Sequence, residues 1–368
     1  MFTARDIVNH LVARGLVSPA AVVRGDIALT DVSRRNRNIK VTVRQGGSYF
    51  LKQAVDPSSE VSVAREAEFY RVMSSRPAGA PLQEYLPKYC GYDSEAHLLV
   101  LELQPASRDL WAHGGRFGRT SMCLSRKLGR ALADLHGLAA PDQPGTSFGR
   151  NLTTEMPWVL SVYEPNVAML GRVSAANLKL VRAIQGHAGF TDSLQRLSVE
   201  WRKDRLIHFD IKCDNLVVGR RPASRWTRLT VVDWELVGFG DACWDVGSVF
   251  ADYLGRWLLS MPGTEGDSSE RLSDPTVRQL VHTQRALWAF WQEYVKRMAL
   301  GQDSDEWLIR SVEYAAARLL QRCYEQLQMS VELPSASVRF LQVSQNMLQR
   351  PAEAAVRLLG LPLQRAAL

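Results

Sequence analysis

The sequence lacks any long hydrophobic run. Hydrophobic residues make up 46% of the 368 positions, but no stretch reaches the roughly eighteen consecutive apolar residues that a membrane-spanning helix requires. The first segment carries Arg5, Asp6 and Arg14 among its apolar residues, which is not the pattern of a secretory signal peptide. We therefore expect no membrane association and a cytoplasmic location.

Cysteine is also scarce. The chain has 5 cysteines, an odd number, and no two of them are separated by only two residues. This composition excludes a disulfide framework and the usual spacing of a zinc site. The sequence is therefore typical of a protein from a reducing compartment, which agrees with a cytoplasmic location.

There is no excess of acidic residues. Lysine and arginine number 45 against 38 aspartates and glutamates, a formal net charge of +7. The basic residues are scattered, and the densest group, at positions 34–37, is a short run of the kind found in solvated loops. We therefore predict no nucleic-acid partner. The length is sufficient for two lobes.

The clearest chemical pattern lies in the second half of the chain. His208, Asp210 and Asn215 follow the order H-x-D-x-x-x-x-N in a loop between two short predicted strands. Further on, an apolar β-branched run predicts a buried strand that ends on two carboxylates, Asp233 and Glu235. Such a set can hold Mg²⁺ against a nucleotide phosphate and leave one aspartate to orient a hydroxyl group. The pattern predicts a phosphotransferase.

Each of these side chains has an expected role. Asp233 and Asn215 offer the oxygen ligands that Mg²⁺ prefers. If the strand continues, Glu235 points to the same side as Asp233 and could reach a second metal ion through water. Asp210 would then accept or orient the proton of the acceptor hydroxyl.

The N-terminal part predicts a β-hairpin followed by a helix. Two β-rich runs flank Gly46-Gly47, and such a turn between strands is typical of a hairpin. Lys52 ends the second strand and is a candidate to bind the α- and β-phosphates of ATP. The helix predicted over residues 61–73 carries Glu66 and Glu68, and either carboxylate could pair with the lysine and hold its ammonium group.

A predicted strand over residues 97–103 leads directly into Gln104-Pro105, which suits a hinge between two lobes. Backbone groups near Glu102 and Leu103 would then meet the adenine of the nucleotide. We predict an α+β, bilobal fold. Residues 1–103 would form a small antiparallel-sheet lobe with a leading helix, which binds nucleotide. Residues 104–368 would form a large, mostly helical lobe with the catalytic loop and the acceptor site.

The motifs resemble the aminoglycoside phosphotransferase and choline kinase branch of the protein-kinase-like fold. The resemblance covers roughly residues 41–253 and is most specific at 208–215 and 233–235, with Gly240-Asp241 and Trp244-Asp245 following. The long gap between His136 and His208 matches the helical insertion of this branch. The resemblance implies ATP and Mg²⁺ as cofactors. The motif Arg65-Glu-Ala67 resembles the family sequence and favours Glu66 over Glu68 as the partner of Lys52. Asp241 and Asp245 are expected to cap a helix or to form hydrogen bonds with the catalytic loop.

The sequence departs from the family in two places. The loop expected to cover the phosphates lies within residues 29–40 and contains no glycine at 33–38. Arginines and backbone amides of this loop would then bind the phosphates in place of a glycine-rich turn, or the phosphate-binding loop is displaced, or it binds phosphate weakly. Lys212 follows Asp210 by two residues and resembles the lysine of protein Ser/Thr kinases, which approaches the transferred phosphate. The segment 243–249 is similar to kinases that phosphorylate Ser/Thr of ribosomal precursor peptides before a lyase eliminates the phosphate, as in lanthipeptide and thioamitide pathways.

Three hypotheses follow. The first is an ATP·Mg²⁺-dependent kinase that acts on a Ser/Thr-bearing precursor peptide, with a possible partner lyase. The second is a kinase of a small hydroxylated metabolite or antibiotic. The third is a kinase-shaped, non-catalytic module that binds a peptide, which only the missing glycine loop supports.

Overall fold

The computed structural model describes residues 2–33, 35–78, 80–104, 106–113, 121–138, 152–164, 173–220, 227–261 and 274–364. These residues form an α+β structure with a small antiparallel sheet and a large helical part, as predicted. None of the helices in these ranges combines the length and the apolar composition needed to cross a membrane.

The chain divides into two compact units, each built from three segments. Unit 1 comprises Met1–Asp109, Pro141–Thr153 and Asn215–Val237, and unit 2 comprises Leu110–Ala140, Thr154–Asp214 and Gly238–Leu368. The division at residue 103 stays a prediction. The segment 215–237 belongs to the same compact unit as the N-terminal residues. The side chains of Lys52 and Glu66 form hydrogen bonds with this segment directly.

The strands of the described residues are β1 Ile27–Asp31, β2 Arg37–Val43, β3 Ser48–Gln53, β4 Tyr89–Asp93, β5 Leu98–Leu103, β6 Arg108–Asp109, β7 Arg205–Ile207, β8 Leu216–Arg220, β9 Thr227–Val231 and β10 Gly238–Gly240. The α-helices in the same ranges are α1 Ala4–Ala13, α2 Pro19–Val23, α3 Pro57–Ser74, α4 Leu110–His113, α5 Met122–His136, α6 Ala175–Gln185, α7 Ala188–Val199, α8 Ala242–Ser260, α9 Asp274–Met298, α10 Ser304–Gln326, α11 Ser335–Gln349 and α12 Pro351–Glu353.

Unit 1 is organised around a five-stranded antiparallel sheet of order β1-β2-β3-β5-β4. The predicted hairpin is β2 and β3, and its register pairs Asn38 with Lys52. The predicted leading helix is α1, which starts at a capping box between Thr3 and Asp6. Its Ile7 and Leu11 are buried in one apolar cluster with residues of the sheet, namely Ile39, Val41, Val43, Tyr49, Leu51, Leu98 and Val100.

Helix α3 begins four residues before the predicted start. The Asp56 carboxylate accepts from the Ser59 backbone N–H at 2.8 Å, and Pro57 occupies the first helical position. Both features stabilise a helix start. Apolar spacing alone does not detect this polar first turn, which explains the late predicted boundary.

The second sheet of unit 1 has the order β6-β8-β9. The two predicted metal ligands flank its strands, because Asn215 directly precedes β8 and Asp233 follows β9 by two residues. The predicted strand over residues 229–235 is shorter than expected, because β9 ends at Val231. Asp233 has a left-handed backbone conformation, φ 70°, and a 3₁₀ turn over Trp234–Leu236 follows. A left-handed residue breaks the extended conformation, so strand alternation does not decide where Glu235 points.

Unit 2 is mostly helical, and its two-stranded ribbon of β7 and β10 leads into the predicted catalytic loop. Helix α5 packs on α9, and α8 packs on α10. A Cβ atom at Gly247 would lie 2.6 Å from the Ser311 carbonyl oxygen, so only glycine permits the close approach of α8 and α10. This contact matters for the site, because α10 carries an arginine that binds Asp210.

The segment between residues 158 and 201 has few helix breakers and is predicted to be helical, and most of its described part is helical. The described part contains a 3₁₀ turn, Trp158–Ser161, and two helices, α6 and α7. Helix α6 ends at Gly186, and the His187 side chain caps α7 by accepting from the Gly189 N–H at 3.2 Å. Capping at two adjacent residues therefore separates α6 from α7.

Candidate active site

Lys52 is the centre of a buried charge cluster in unit 1. The residue lies on β3 and is only 5% exposed. Its Nζ donates to Glu66 Oε2 at 2.8 Å, to Asp233 Oδ1 at 2.6 Å and to Glu235 Oε2 at 2.8 Å. The Lys52–Glu66 pair is the one predicted, whereas Glu68 binds Arg71 on the surface of α3. The cluster therefore brings together residues up to 183 positions apart in the chain.

The three carboxylates keep this lysine charged. Burial alone would lower the pKa of Lys52, but Glu66, Asp233 and Glu235 together raise the pKa well above its usual range. A buried charge of this kind is tolerated only when it is paired and hydrogen-bonded. Lys52 therefore presents a permanent ammonium group at neutral pH.

Helix α3 also holds the backbone that carries Asp233. The second oxygen of Glu66, Oε1, accepts from the Trp234 backbone N–H at 3.1 Å. The Trp234 ring stacks on Phe69, with ring centroids 4.1 Å apart and planes 17° from parallel. These contacts hold Asp233 in its left-handed conformation, with 34% of its side chain exposed. Glu66 thus orients both the lysine and the aspartate.

Asn215 lies next to Asp233 through the pairing of β8 and β9. Leu216 pairs with Val231, and the Val232 N–H donates to the Asn215 carbonyl oxygen at 3.0 Å. Amide and carboxylate oxygens suit a hard cation, and Mg²⁺ commonly uses one or two protein groups together with substrate phosphates. Over the described ranges, His, Cys, Asp and Glu side chains form no group of three or more that would hold a metal ion without such help.

Glu235 links Lys52 to the glycine-free loop. Besides Lys52, its Oε2 accepts from Asn36 Nδ2 at 3.0 Å, and its Oε1 lies 3.8 Å from an Arg35 guanidinium nitrogen. Asn36 is 4% exposed, and within the described residues its Oδ1 has no hydrogen-bond partner. The role of Glu235 at a second metal ion stays a prediction. The sequence did not single out Asn36, whose only signal is a neutral residue inside an arginine run.

Glu102 and Leu103 lie where the predicted hinge begins, at the end of β5. The Glu102 N–H donates to the Lys88 carbonyl oxygen at 2.9 Å. Lys52 on β3 pairs with Leu99 on β5. Glu102 lies three residues after Leu99 on β5, about 10 Å further along the sheet. Contact of this strand end with adenine stays a prediction.

In unit 2, two cations bind the carboxylate of Asp210. Lys212 Nζ donates to its Oδ2 at 2.6 Å, and an Arg318 guanidinium nitrogen donates to its Oδ1 at 2.6 Å. Burial alone would raise the pKa of Asp210, but Arg318 and then Lys212 outweigh this effect and hold the pKa below its usual value. Asp210 is therefore ionised at neutral pH. Sequence reasoning missed Arg318, although one arginine in the apolar run 315–320 is a signal of a buried charge.

Asp245 on α8 holds the backbone of the predicted catalytic loop, residues 208–215. Its carboxylate is fully buried and accepts from the His208 N–H at 2.7 Å and the Phe209 N–H at 3.0 Å. Phe209 has a positive φ of 69°, a conformation that needs such support. His136 Nε2 lies 3.3 Å from the same carboxylate, which agrees with a structural role for His136. Asp241 caps α8 through the Cys243 N–H.

We expect the Asp245→Asn variant to lose about 2 kcal/mol of unfolding free energy. An amide side chain has one acceptor oxygen, so one of the two loop N–H groups would face an NH₂ group and lose its partner, which costs roughly 1–3 kcal/mol. Urea denaturation followed by tryptophan fluorescence measures the change. Asp204→Asn, at an exposed position just before β7, is the control, and equal stability of both variants would contradict the assignment.

Comparison with known proteins identifies the family. Residues 29–294 match the phosphotransferase enzyme family, APH. The match covers well over half of the chain, so the protein belongs to this family and is a phosphotransferase enzyme. The predicted resemblance to the aminoglycoside phosphotransferase and choline kinase branch is confirmed. No curated protein sequence matches the chain.

Several solved structures are similar to this chain, and the one with a TM-score above 0.5, given first here, shows the same fold. The choline kinase from Cryptosporidium parvum Iowa II is 8% identical with a TM-score of 0.57, and the alignment covers 97% of this chain and 98% of that chain. The choline kinase LicA from Streptococcus pneumoniae is 14% identical with a TM-score of 0.47, over 94% and 98%. The macrolide 2'-phosphotransferase MphH from Brachybacterium faecium is 15% identical with a TM-score of 0.44, over 93% and 98%.

Proposed function

We propose that the protein transfers the γ-phosphoryl group of ATP, bound with Mg²⁺, to a hydroxyl group. The observation that carries this proposal is the Lys52 cluster. A buried, permanently charged ammonium is held by Glu66 beside Asp233, and Asn215 lies at the end of the neighbouring strand. A cation for phosphates and oxygen ligands for a metal ion are the groups that phosphoryl transfer requires.

The roles of the residues follow from their contacts. Lys52 would bind the α- and β-phosphates, and Glu66 would hold it there. Asp233 and Asn215 would hold Mg²⁺, and Glu235 would reach a second ion. When bound, Mg²⁺ neutralises negative charge on the phosphates. The backbone at the end of β5, near Glu102 and Leu103, would contact adenine.

Asp210 would orient the acceptor hydroxyl rather than remove its proton early. Two cations lower its pKa, so it is a weak base. A weak base is sufficient, because the transition state of phosphoryl transfer is loose and the hydroxyl keeps its proton until late. Lys212, which is bound to Asp210, would neutralise charge on the phosphoryl group during transfer.

For the acceptor we propose a Ser or Thr of a ribosomally made precursor peptide, from which a partner lyase would then eliminate the phosphate. The contact between Lys212 and Asp210 supports a peptide, because a lysine two residues after the catalytic aspartate is the pattern of peptide kinases. The net charge of +7 favours an acidic leader peptide over a polycationic antibiotic. A small hydroxylated molecule is the second candidate, favoured by membership of the phosphotransferase family.

Transfer of label from γ-labelled ATP with Mg²⁺ tests both the phosphoryl transfer itself and the identity of the acceptor. Ser/Thr-rich peptides with an acidic leader are compared with amino sugars, macrolides and choline. We expect label on the peptides. Label on a small molecule would overturn the peptide acceptor and keep the phosphotransferase. Absence of Mg·ATP binding in a calorimeter would overturn the nucleotide assignment.

A further inference from the structure

All three hydrogens of the Lys52 ammonium group are taken by carboxylates. An ammonium group has three N–H donors and no acceptor. In Lys52, one contact goes to Glu66 at 2.8 Å, one to Asp233 at 2.6 Å and one to Glu235 at 2.8 Å. In this arrangement no N–H is left for a phosphate. A phosphate oxygen can therefore bind Lys52 only when one of the three carboxylates moves away.

Glu235 is the carboxylate that can move. Glu66 is buried, and its second oxygen accepts from the Trp234 N–H at 3.1 Å, so its departure would leave a buried backbone group unsatisfied. Asp233 is proposed to bind Mg²⁺ beside the phosphates and therefore has to stay. Glu235 is 14% exposed and has a longer, more flexible side chain than Asp233.

Contacts with the glycine-free loop and with α3 hold Glu235 on Lys52. Its Oε2 also accepts from Asn36 Nδ2 at 3.0 Å, and its Oε1 lies 3.8 Å from an Arg35 guanidinium nitrogen. Its backbone carbonyl oxygen accepts from Arg65 Nη1 at 2.8 Å. The backbone of Glu235 is thus fixed to α3, whereas its carboxylate bridges Lys52 and the loop. A movement of this carboxylate would release both.

Asn36 indicates that this bridge is not the final arrangement of the loop. The side chain is buried, and within the described residues its Oδ1 has no hydrogen-bond partner. Buried amide oxygens are normally satisfied, because an unsatisfied acceptor is costly. A hydroxyl group of a nucleotide, or a water molecule bound with it, would supply the missing donor. Asn36 therefore points to a ligand at this cluster, independently of the carboxylates.

The cluster has an excess of negative charge. The Lys52 ammonium group faces three carboxylates, those of Glu66, Asp233 and Glu235. Of the two neighbouring arginines, Arg35 is 65% exposed and screened by solvent, and Arg65 binds a backbone carbonyl oxygen rather than a carboxylate. Like charges repel more strongly where water is excluded, so the phosphates of metal-free ATP are disfavoured here. A divalent cation carries the positive charge that would restore neutrality.

We propose that Glu235 is a specificity-determining residue that makes the protein select Mg·ATP over metal-free ATP. In the arrangement seen here, Glu235 occupies the Lys52 donor that a phosphate needs, and its charge repels metal-free phosphates. When Mg·ATP binds, Glu235 leaves Lys52, a phosphate oxygen takes its place, and the loop that carries Asn36 is released. The inference rests on the proposed phosphotransferase function. It places this movement before any contact of Glu235 with a second metal ion.

The test variant is Glu235→Gln, which keeps the shape of the side chain and removes its charge. Lys52 retains two of its three carboxylate partners, so the variant should fold. Glu68→Gln is the matched control, because it removes a carboxylate of α3 that binds Arg71 instead of Lys52. Calorimetric titration measures the affinity of each protein for ATP in EDTA, for Mg·ATP and for adenosine, which has no phosphate.

We expect Glu235→Gln to bind metal-free ATP about 10-fold more tightly than the unaltered protein, because one unit charge at contact distance has an effect of this order near a protein surface. Mg·ATP should gain no affinity from the substitution. The preference for Mg·ATP over metal-free ATP should therefore fall by about 10-fold or more. Adenosine affinity should not change, and Glu68→Gln should equal the unaltered protein in all three titrations.

Glu235→Asp keeps the charge of the cluster but shortens the side chain, so it should loosen the bridge and give a smaller gain in affinity for metal-free ATP. It decides the matter if Glu235→Gln does not fold. Equal or weaker binding of metal-free ATP by the Glu235 variants, or an equal gain for adenosine, would overturn the inference and leave the phosphotransferase assignment intact. Failure of the unaltered protein to bind Mg·ATP would instead overturn the proposed function.

Discussion

The Asp210→Asn variant is expected to lose about 1,000-fold in kcat, within the range of about 10²–10⁴ that a positioned acid–base group contributes. The amide keeps the shape of the side chain but removes its negative charge. It therefore weakens the contacts with Lys212 and Arg318 and offers the acceptor hydroxyl a much weaker acceptor. Because Asp210 is proposed to act on the acceptor, binding of Mg·ATP should remain within about 2-fold of the unaltered protein.

Steady-state label transfer and calorimetric titration with Mg·ATP measure the two quantities separately. Asp204→Asn is the matched control, since it removes one carboxylate from an exposed position six residues earlier in the same unit. We expect the control to retain full activity. Undiminished turnover in Asp210→Asn would show that this aspartate does not act on the acceptor.

The Asp233→Asn variant is expected to weaken Mg·ATP binding by about 100-fold and to abolish measurable transfer. Even substitutions in the outer shell of a metal site cost about 10–100-fold in affinity, and Asp233 is proposed as a direct ligand. Lys52 would retain Glu66 and Glu235 as partners, so the charge of the lysine stays compensated and the protein should fold.

The dependence on Mg²⁺ separates this variant from Asp210→Asn. Raising the Mg²⁺ concentration should recover part of the nucleotide affinity of Asp233→Asn and none of the activity of Asp210→Asn. Glu68→Gln is the control, because it removes a carboxylate that pairs with Arg71 on α3 and does not contact Lys52. Equal Mg·ATP affinity of Asp233→Asn and this control would contradict the metal assignment.

Local pattern was sufficient for much of the candidate site. The Gly46-Gly47 turn between β-rich runs predicted the hairpin that carries Lys52, because turn chemistry is local. The order of His208, Asp210 and Asn215 is also a local pattern, and the catalytic loop that it indicates stays a prediction. Glu66 rather than Glu68 was correctly chosen as the partner of Lys52. That choice came from the resemblance of residues 65–67 to the family sequence, because periodicity alone cannot rank two glutamates so close together on a helix.

The boundaries of elements depended on details that periodicity does not carry. β9 ends at Val231, before the predicted end of the strand, because the next carboxylate has a left-handed backbone held by Glu66 and Trp234. The segment predicted to be helical before residue 201 contains two separate helices, α6 and α7, because capping occurs at Gly186 and His187. In each case a hydrogen bond to one side chain overrides the local preference of the chain.

The sequence by itself determined the fold class and the phosphotransferase class, and it predicted Lys52, Asp210, Asn215 and Asp233 as site residues. Only the tertiary structure decided which charges meet. Arg318 binds Asp210 from 108 residues away, and Asn36 binds Glu235 from 199 residues away. Spacing along the chain cannot report such pairs, because they depend on how helices and strands pack and on the need of every buried charge for a partner.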